Sequence, residues 1–133
     1  MPLSAGQLLH HRYRIESLLG QGGMGAVYRA WDLNLHIFVA IKENLDTSRE
    51  AQKQFESEAR ILAHLVHPNL PRVTDHFFVH GQGQYLVMDY VEGEDLRAMF
   101  ERLGVLPESQ VLDWFVQICD ALTYLHNQPA PIV

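Results

Sequence analysis

Leu19-Gly20-Gln21-Gly22-Gly23-Met24-Gly25-Ala26-Val27, followed by Val39-Ala40-Ile41-Lys42, decides how this chain is read. Gly20, Gly22 and Gly25 stand at G-x-G-x-x-G spacing. Glycines so placed let a backbone lie against a polyphosphate, because no Cβ intervenes and unusual dihedrals cost little. Several nucleotide-binding folds and many plain turns share that spacing. The lysine closing the second stretch narrows the choice.

A P-loop requires Lys and then Ser or Thr directly after its last glycine, and here Ala26 and Val27 follow Gly25. A dinucleotide-binding turn requires a preceding strand buried on both faces, which reads as a continuous apolar run. Instead Arg12, Arg14 and Glu16 alternate with Tyr13, Ile15 and Ser17, the pattern of a strand with one wet face. Glu43 falls roughly 20 residues on, where a ribose-binding acid would sit, so spacing alone leaves that arrangement open. The strand argues against it.

The third arrangement is a lid over phosphates. In protein kinases G-x-G-x-x-G-x-V covers the phosphates and the lysine of V-A-I-K holds them. Gly20, Gly22, Gly25 and Val27 match the first motif, and Val39 to Lys42 match the second letter for letter. With Arg12-Tyr13-Arg14-Ile15 ahead and the Gly-Gly-Met-Gly wording, the chain resembles bacterial serine/threonine protein kinases of the eukaryotic type.

The bulk numbers agree with a soluble globular domain. At 133 residues the chain can bury a core, and 47% hydrophobic with 20% charged residues is ordinary for such a protein. A net charge of −6 argues against nucleic acid or an anionic membrane as main partner. There is no apolar span long enough for a bilayer and no signal peptide, so the cytoplasm is expected. Cys119 is the only cysteine, which agrees with a reducing compartment. No base or metal ligand stands at helical spacing from it, so it reads as a small buried residue. The histidines show no paired ligand geometry, and no metal site is expected from these residues.

In order, Leu8 and Leu9 are expected to pack on the first strand. Strands are expected over 13–19, 25–32 and 37–43, forming an antiparallel meander. Thr47 and Glu50 give a capping-box signature for a helix running to about Val66, where His67-Pro68-Asn69 ends it. Phe55, Ala59, Leu62 and Leu65 form its apolar stripe, and Glu58 lies at the stripe's margin. By position alone Glu58 reads as one more surface acid. A hairpin follows over 73–80 and 84–90, turning at Gly81-Gln82-Gly83. A short helix carries Leu96, Met99, Phe100 and Leu103 and stops at Gly104. Pro107 opens a long helix to His126 whose broad apolar face holds Val111, Trp114, Phe115, Ile118, Leu122 and Leu125.

The kinase resemblance implies an α+β fold: an N-lobe of a five-stranded antiparallel sheet plus one long helix, then the first two helices of a C-lobe. It places the N-lobe over 1–91, a hinge near 89–93 and an incomplete C-lobe over 92–133. It further implies that Lys42 holds ATP phosphates and pairs with Glu58, the two catalytic candidates. Leu19, Gly20, Gly22, Gly25, Val27, Ala40 and Met88 would surround the nucleotide. Asp89 and Val91 would present hinge backbone to adenine, and Asp95 would bond a ribose hydroxyl. Met88 reads equally well as core methionine.

The family's H-R-D base, its asparagine and its D-F-G aspartate, which serve catalysis and Mg2+, would come after Val133. On this reading the chain is the ATP-binding part of an enzyme that phosphorylates protein substrates, expected to be inactive alone. The competing reading is a non-catalytic kinase-like module. Either way, the apolar helix of residues 107–126 is expected to self-associate.

Overall fold

The computed structural model describes residues 2–23 and 25–133; Met24 of the glycine-rich stretch lies outside them. The chain forms two compact units, Met1–Leu65 with Pro71–Val91, and Val66–Leu70 with Glu92–Val133.

The first unit is built on one antiparallel sheet. Its strands are β1 (Leu8–Leu9), β2 (Tyr13–Gly22), β3 (Gly25–Asp32), β4 (Ile37–Asn44), β5 (Val73–Val79) and β6 (Gly83–Asp89), in the order β1-β2-β3-β4-β6-β5. The sequence led us to expect five strands. The sixth, β1, arises because Leu8 and Leu9 pair with Arg14 and Tyr13 rather than merely packing on them. An element of two residues has no period to read, so only its tertiary pairing reveals it.

Alternation along the strands divides the side chains between two faces. Tyr13, Ile15, Tyr28, Ala30, Ile41 and Val87 form the main core on one face, joined by Leu3 and Leu9. Burial of each large side chain contributes about 1.5–3 kcal/mol. On the opposite face Leu86 packs with Phe55 and Ala59 of α1 (Arg49–Ala63), with Leu62, Val73 and Met88 at the edges. β6 is covered on both faces, which is why Tyr85-Leu86-Val87 reads as an unbroken apolar run.

The helix begins and ends inside its expected limits. Its N-cap is Ser48, one residue after Thr47, with the Ser48 hydroxyl accepting from the Ala51 amide. It stops at Ala63 instead of Val66. The His64 amide bonds back to the Ile61 carbonyl, and His64 Nδ1 lies 2.6 Å from the Arg60 oxygen, which satisfies the last turn.

The turn from β3 to β4 is held by one carboxylate. Asp32 is 1% exposed and receives Arg12 in a two-point contact, Nε to Oδ1 at 2.9 Å and Nη2 to Oδ2 at 2.7 Å. The same Oδ1 accepts the amides of Asn34 and Leu35. The Arg12 guanidinium, helped by these amides, holds the Asp32 carboxyl below its ordinary range.

The second unit contains α2 (Leu96–Leu103) and α3 (Glu108–His126). Asp95 caps α2 by accepting the Ala98 amide at 2.7 Å, and Gly104 ends it at a φ of 75°. Residues 66–70 are tied to α3. The Val66 amide donates to the Tyr124 hydroxyl, and Asn69 Nδ2 donates to the Gln117 carbonyl, both at 2.9 Å. No helix among the described residues is long and apolar enough to cross a membrane.

Candidate functional site

The register of three strands puts the sequence candidates on one face. Val27 lies opposite Lys42, and Ala40 lies opposite Met88, with Lys42 and Ala40 two residues apart on β4. Side chains two apart on a strand point the same way. Val27, Ala40, Lys42 and Met88 therefore share the face that α1 covers in part, away from the tyrosine-rich core.

Beneath the β2–β3 turn that face opens into a cavity of about 600 Å³. Gly20, Gly22, Gly25, Val27, Lys42 and Glu58 all line it, together with Gln54 and Phe55 of the helix. This volume lies within the roughly 300–1,000 Å³ typical of small-molecule sites. Leu19, Ala40 and Met88 are not among its lining residues. Leu19 is an exposed part of β2, and Met88 packs at the edge of the helix–sheet cluster. Asp89 is engaged with Arg72, its Oδ2 accepting the Arg72 amide at 2.8 Å, and Val91 is 74% exposed. Asp95 belongs to the second unit, where its carboxylate serves as the α2 cap.

The glycines differ in why they are glycines. A Cβ on Gly25 would lie 1.8 Å from the Glu43 carbonyl oxygen, and its φ of 152° is one that L side chains rarely adopt. A Cβ on Gly20, Gly22 or Gly23 would meet nothing within 4 Å. The fold itself demands Gly25 and leaves the other three unobstructed.

Lys42 and Glu58 line the same cavity without forming an ion pair among the described residues. Glu58 instead accepts from Gln54 Nε2, one helical turn back, at 3.3 Å. Gln54 is the neighbour that the sequence reading passed over. Its signal was spacing, since residues four apart on a helix meet. A ladder of turns joins the lysine strand to the helix. Asn44 Oδ1 accepts the Asp46 amide, Asp46 Oδ1 accepts the Ser48 amide, and Ser48 caps Ala51. The Ser48 amide, together with the Ser48 side chain, draws the Asp46 carboxyl below its ordinary range.

Among the described residues no group of three or more His, Cys, Asp or Glu side chains is placed to hold a metal ion. Cys119 is free and partly exposed.

The sequence matches the protein kinase domain over residues 13–131. The chain belongs to the protein kinase domain family. Its curated kinase relatives include the probable serine/threonine-protein kinase YbdM of Bacillus subtilis, 33% identical over 131 residues, which cover 96% of this chain and 51% of that one. Serine/threonine-protein kinase PknA of Mycobacterium tuberculosis is 37% identical over 128 residues, covering 91% and 30%. Among solved kinase structures, the PknI kinase domain of M. tuberculosis superposes with a TM-score of 0.77 at 29% identity, covering 96% of this chain and 52% of that one. A double mutant of that domain gives a TM-score of 0.80, also at 29% identity, covering 97% and 52%. The chain thus spans about half the length of YbdM or of the PknI kinase domain, and less of PknA. The antiparallel sheet and these matches agree with the kinase fold and remove the dinucleotide-binding alternative, in which Glu43 would have met a ribose.

Proposed function

We propose that this chain is the ATP-binding part of a serine/threonine protein kinase. The observation that carries the reading is the cavity in which an unobstructed glycine turn faces Lys42 and Glu58. Because Gly20, Gly22 and Gly23 have no protein neighbour that a Cβ would strike, their bareness fits the approach of a polyphosphate. Lys42 is exposed on the cavity side without an ion-pair partner among the described residues, so its charge is free for an anion.

In this reading Lys42 binds the α- and β-phosphates, and Glu58 orients Lys42 when it leaves Gln54. Leu19, Val27, Ala40 and Met88 flank adenine, and the backbone of Asp89 and Val91 reads its edge. ATP supplies the phosphoryl group that the complete enzyme passes to a protein hydroxyl. Among the described residues no His, Cys, Asp or Glu cluster is placed to hold a metal ion, and no step is assigned to Mg2+ on them. The base and the metal-binding acids belong to family motifs outside the present sequence, and the 133 residues alone transfer no phosphate. A fluorescent ATP analogue should bind the wild-type chain saturably. Lys42→Met should weaken that binding ~tenfold or more, the scale of a lost charge-assisted contact. Equal affinity in both proteins would overturn the assignment. We place the protein in the cytoplasm, with protein substrates rather than nucleic acid or membrane as partners.

A second proposal concerns α3. Phe115 is 61% exposed, and Leu112, Val116, Ile118 and Leu122 are exposed beside it. A contiguous apolar stripe of this kind is unusual on a stable monomer. The chain self-associates through this face, and the non-catalytic reading would use it as a dimerisation surface. Light scattering at micromolar concentration should show a dimer that Phe115→Glu dissociates. A wild-type monomer with its helix intact would refute self-association.

A further inference from the structure

Arg29 stands on the same sheet face as Val27, Ala40 and Lys42. It lies opposite Ala40 of β4 and two residues along β3 from Val27, so its side chain leaves the strand on that side. Its Cζ is 4.6 Å from the centre of the Phe38 ring and 5.8 Å from that of Tyr90. Both distances fall within the roughly 6 Å over which a ring face attracts a cation. The two rings meet edge to face with centroids 6.3 Å apart, and Phe38 meets Trp31 in the same manner at 4.8 Å.

Two facts set this arginine apart from an ordinary surface cation. It forms no ion pair among the described residues. Its Nε is closed off from solvent and has no hydrogen-bond partner among them. Withdrawing a donor from water without an acceptor costs free energy, so the attraction that keeps the guanidinium in place is that of the rings. Phe38 belongs to β4, whereas Tyr90 stands one residue past the end of β6. The last pair between these strands is Val39 with Asp89, and beyond it the chain leaves the ladder. The Asp89 amide is anchored on the Arg72 carbonyl at 2.9 Å, while Val91 is largely exposed. Between them, the Tyr90 ring ties the departing chain back to the sheet through Phe38 and Arg29.

We propose that Arg29 is a positioning residue for the base of the nucleotide. Stacked on Phe38, it holds Tyr90 and so fixes the backbone of Asp89 and Val91 against which adenine lies. The inference rests on the nucleotide reading and adds a residue to it; Arg29 acts through Tyr90 and not on the ligand. A backbone ordered beforehand loses less freedom when the base arrives, which raises affinity without a new contact.

The test begins in the nucleotide-free chain, with NMR order parameters of the Tyr90 and Val91 amides. These should lie near the rigid value of about 0.85 in wild type and fall toward about 0.6 in Arg29→Ala. Tyr90→Ala, beyond the last strand pair, should loosen Val91 to the same extent and decides the matter if Arg29→Ala fails to fold. The double variant should be no looser than either single one, because both remove the same contact. A fluorescent ATP analogue should bind folded Arg29→Ala ~tenfold more weakly than wild type. Unchanged order parameters in the folded variants, additive loosening in the double variant, or equal nucleotide affinity would overturn the proposal. A wild-type chain that binds no nucleotide would overturn the nucleotide reading instead, and the order parameters would still decide whether Arg29 holds Tyr90.

Discussion

Gly25→Ala should destabilise the first unit by at least about 3 kcal/mol, whereas Gly22→Ala should change stability by less than about 0.5 kcal/mol. The contrast follows from what each new methyl group would meet. At Gly25 it would overlap the Glu43 carbonyl, a backbone atom of the next strand, at a dihedral already unfavourable for alanine. Relief requires the end of β3 to lift from β4, which breaks the pairing of Gly25 with Asn44 and Ala26 with Glu43. At Gly22 the methyl group enters open space. Nucleotide affinity should separate the two positions differently. If phosphates lie on the loop, Gly22→Ala weakens binding in a protein that melts like wild type. Denaturant melts with parallel nucleotide titrations measure both. Similar melting midpoints for the two variants would show that the loop does not rest on β4 as described.

Asp32→Ala should cost about 2–4 kcal/mol at neutral pH, because it leaves a partly buried guanidinium and two turn amides without their acceptor. For a domain of this size that is a fall in Tm of roughly 10 °C. The pH dependence has a definite sign. The folded carboxyl titrates below its ordinary value of 3.8, chiefly because of Arg12. Its stabilisation is complete above that ordinary value and is lost as pH falls through the lower, folded one. The gap between wild type and Asp32→Ala should therefore be full at pH 7 and narrow in strongly acidic solution. Urea melts across that range provide the measurement. A constant gap down to the most acidic condition would mean that Asp32 acts by packing rather than by its charge.

Most of the sheet was legible because alternation and glycine punctuation are local signals. Tyr13 and Ile15 announced β2, and Gly81-Gln82-Gly83 announced the β5–β6 turn. What escaped depends on partners distant in sequence. Thr47 and Ser48 are both acceptable caps, and the choice fell to Ser48 through the Asp46 hydrogen bond that fixes it. Glu43 gave no sign that it would be buried between two tyrosines, because Tyr28 and Tyr85 reach it only through strand pairing. The site was legible as a set of residue types. Lys42 and Glu58 could be assigned to one cavity by motif, but their separation depends on how the helix sits on the sheet, and no local pattern encodes that.

The turn ladder from Asn44 to Ser48 makes α1 a lever with one end pinned. Glu58 lies ten residues beyond Ser48, a distance along the helix of about 15 Å at 1.5 Å per residue. A tilt of roughly 10° about the pinned end would carry Glu58 about 2.6 Å on that geometry. Such a step is comparable to the length of a hydrogen bond, and it leaves the helix's own hydrogen bonding unchanged. Because Leu62 packs at the edge of the helix–sheet cluster, contacts near it act on Glu58 with more leverage than contacts near the cap.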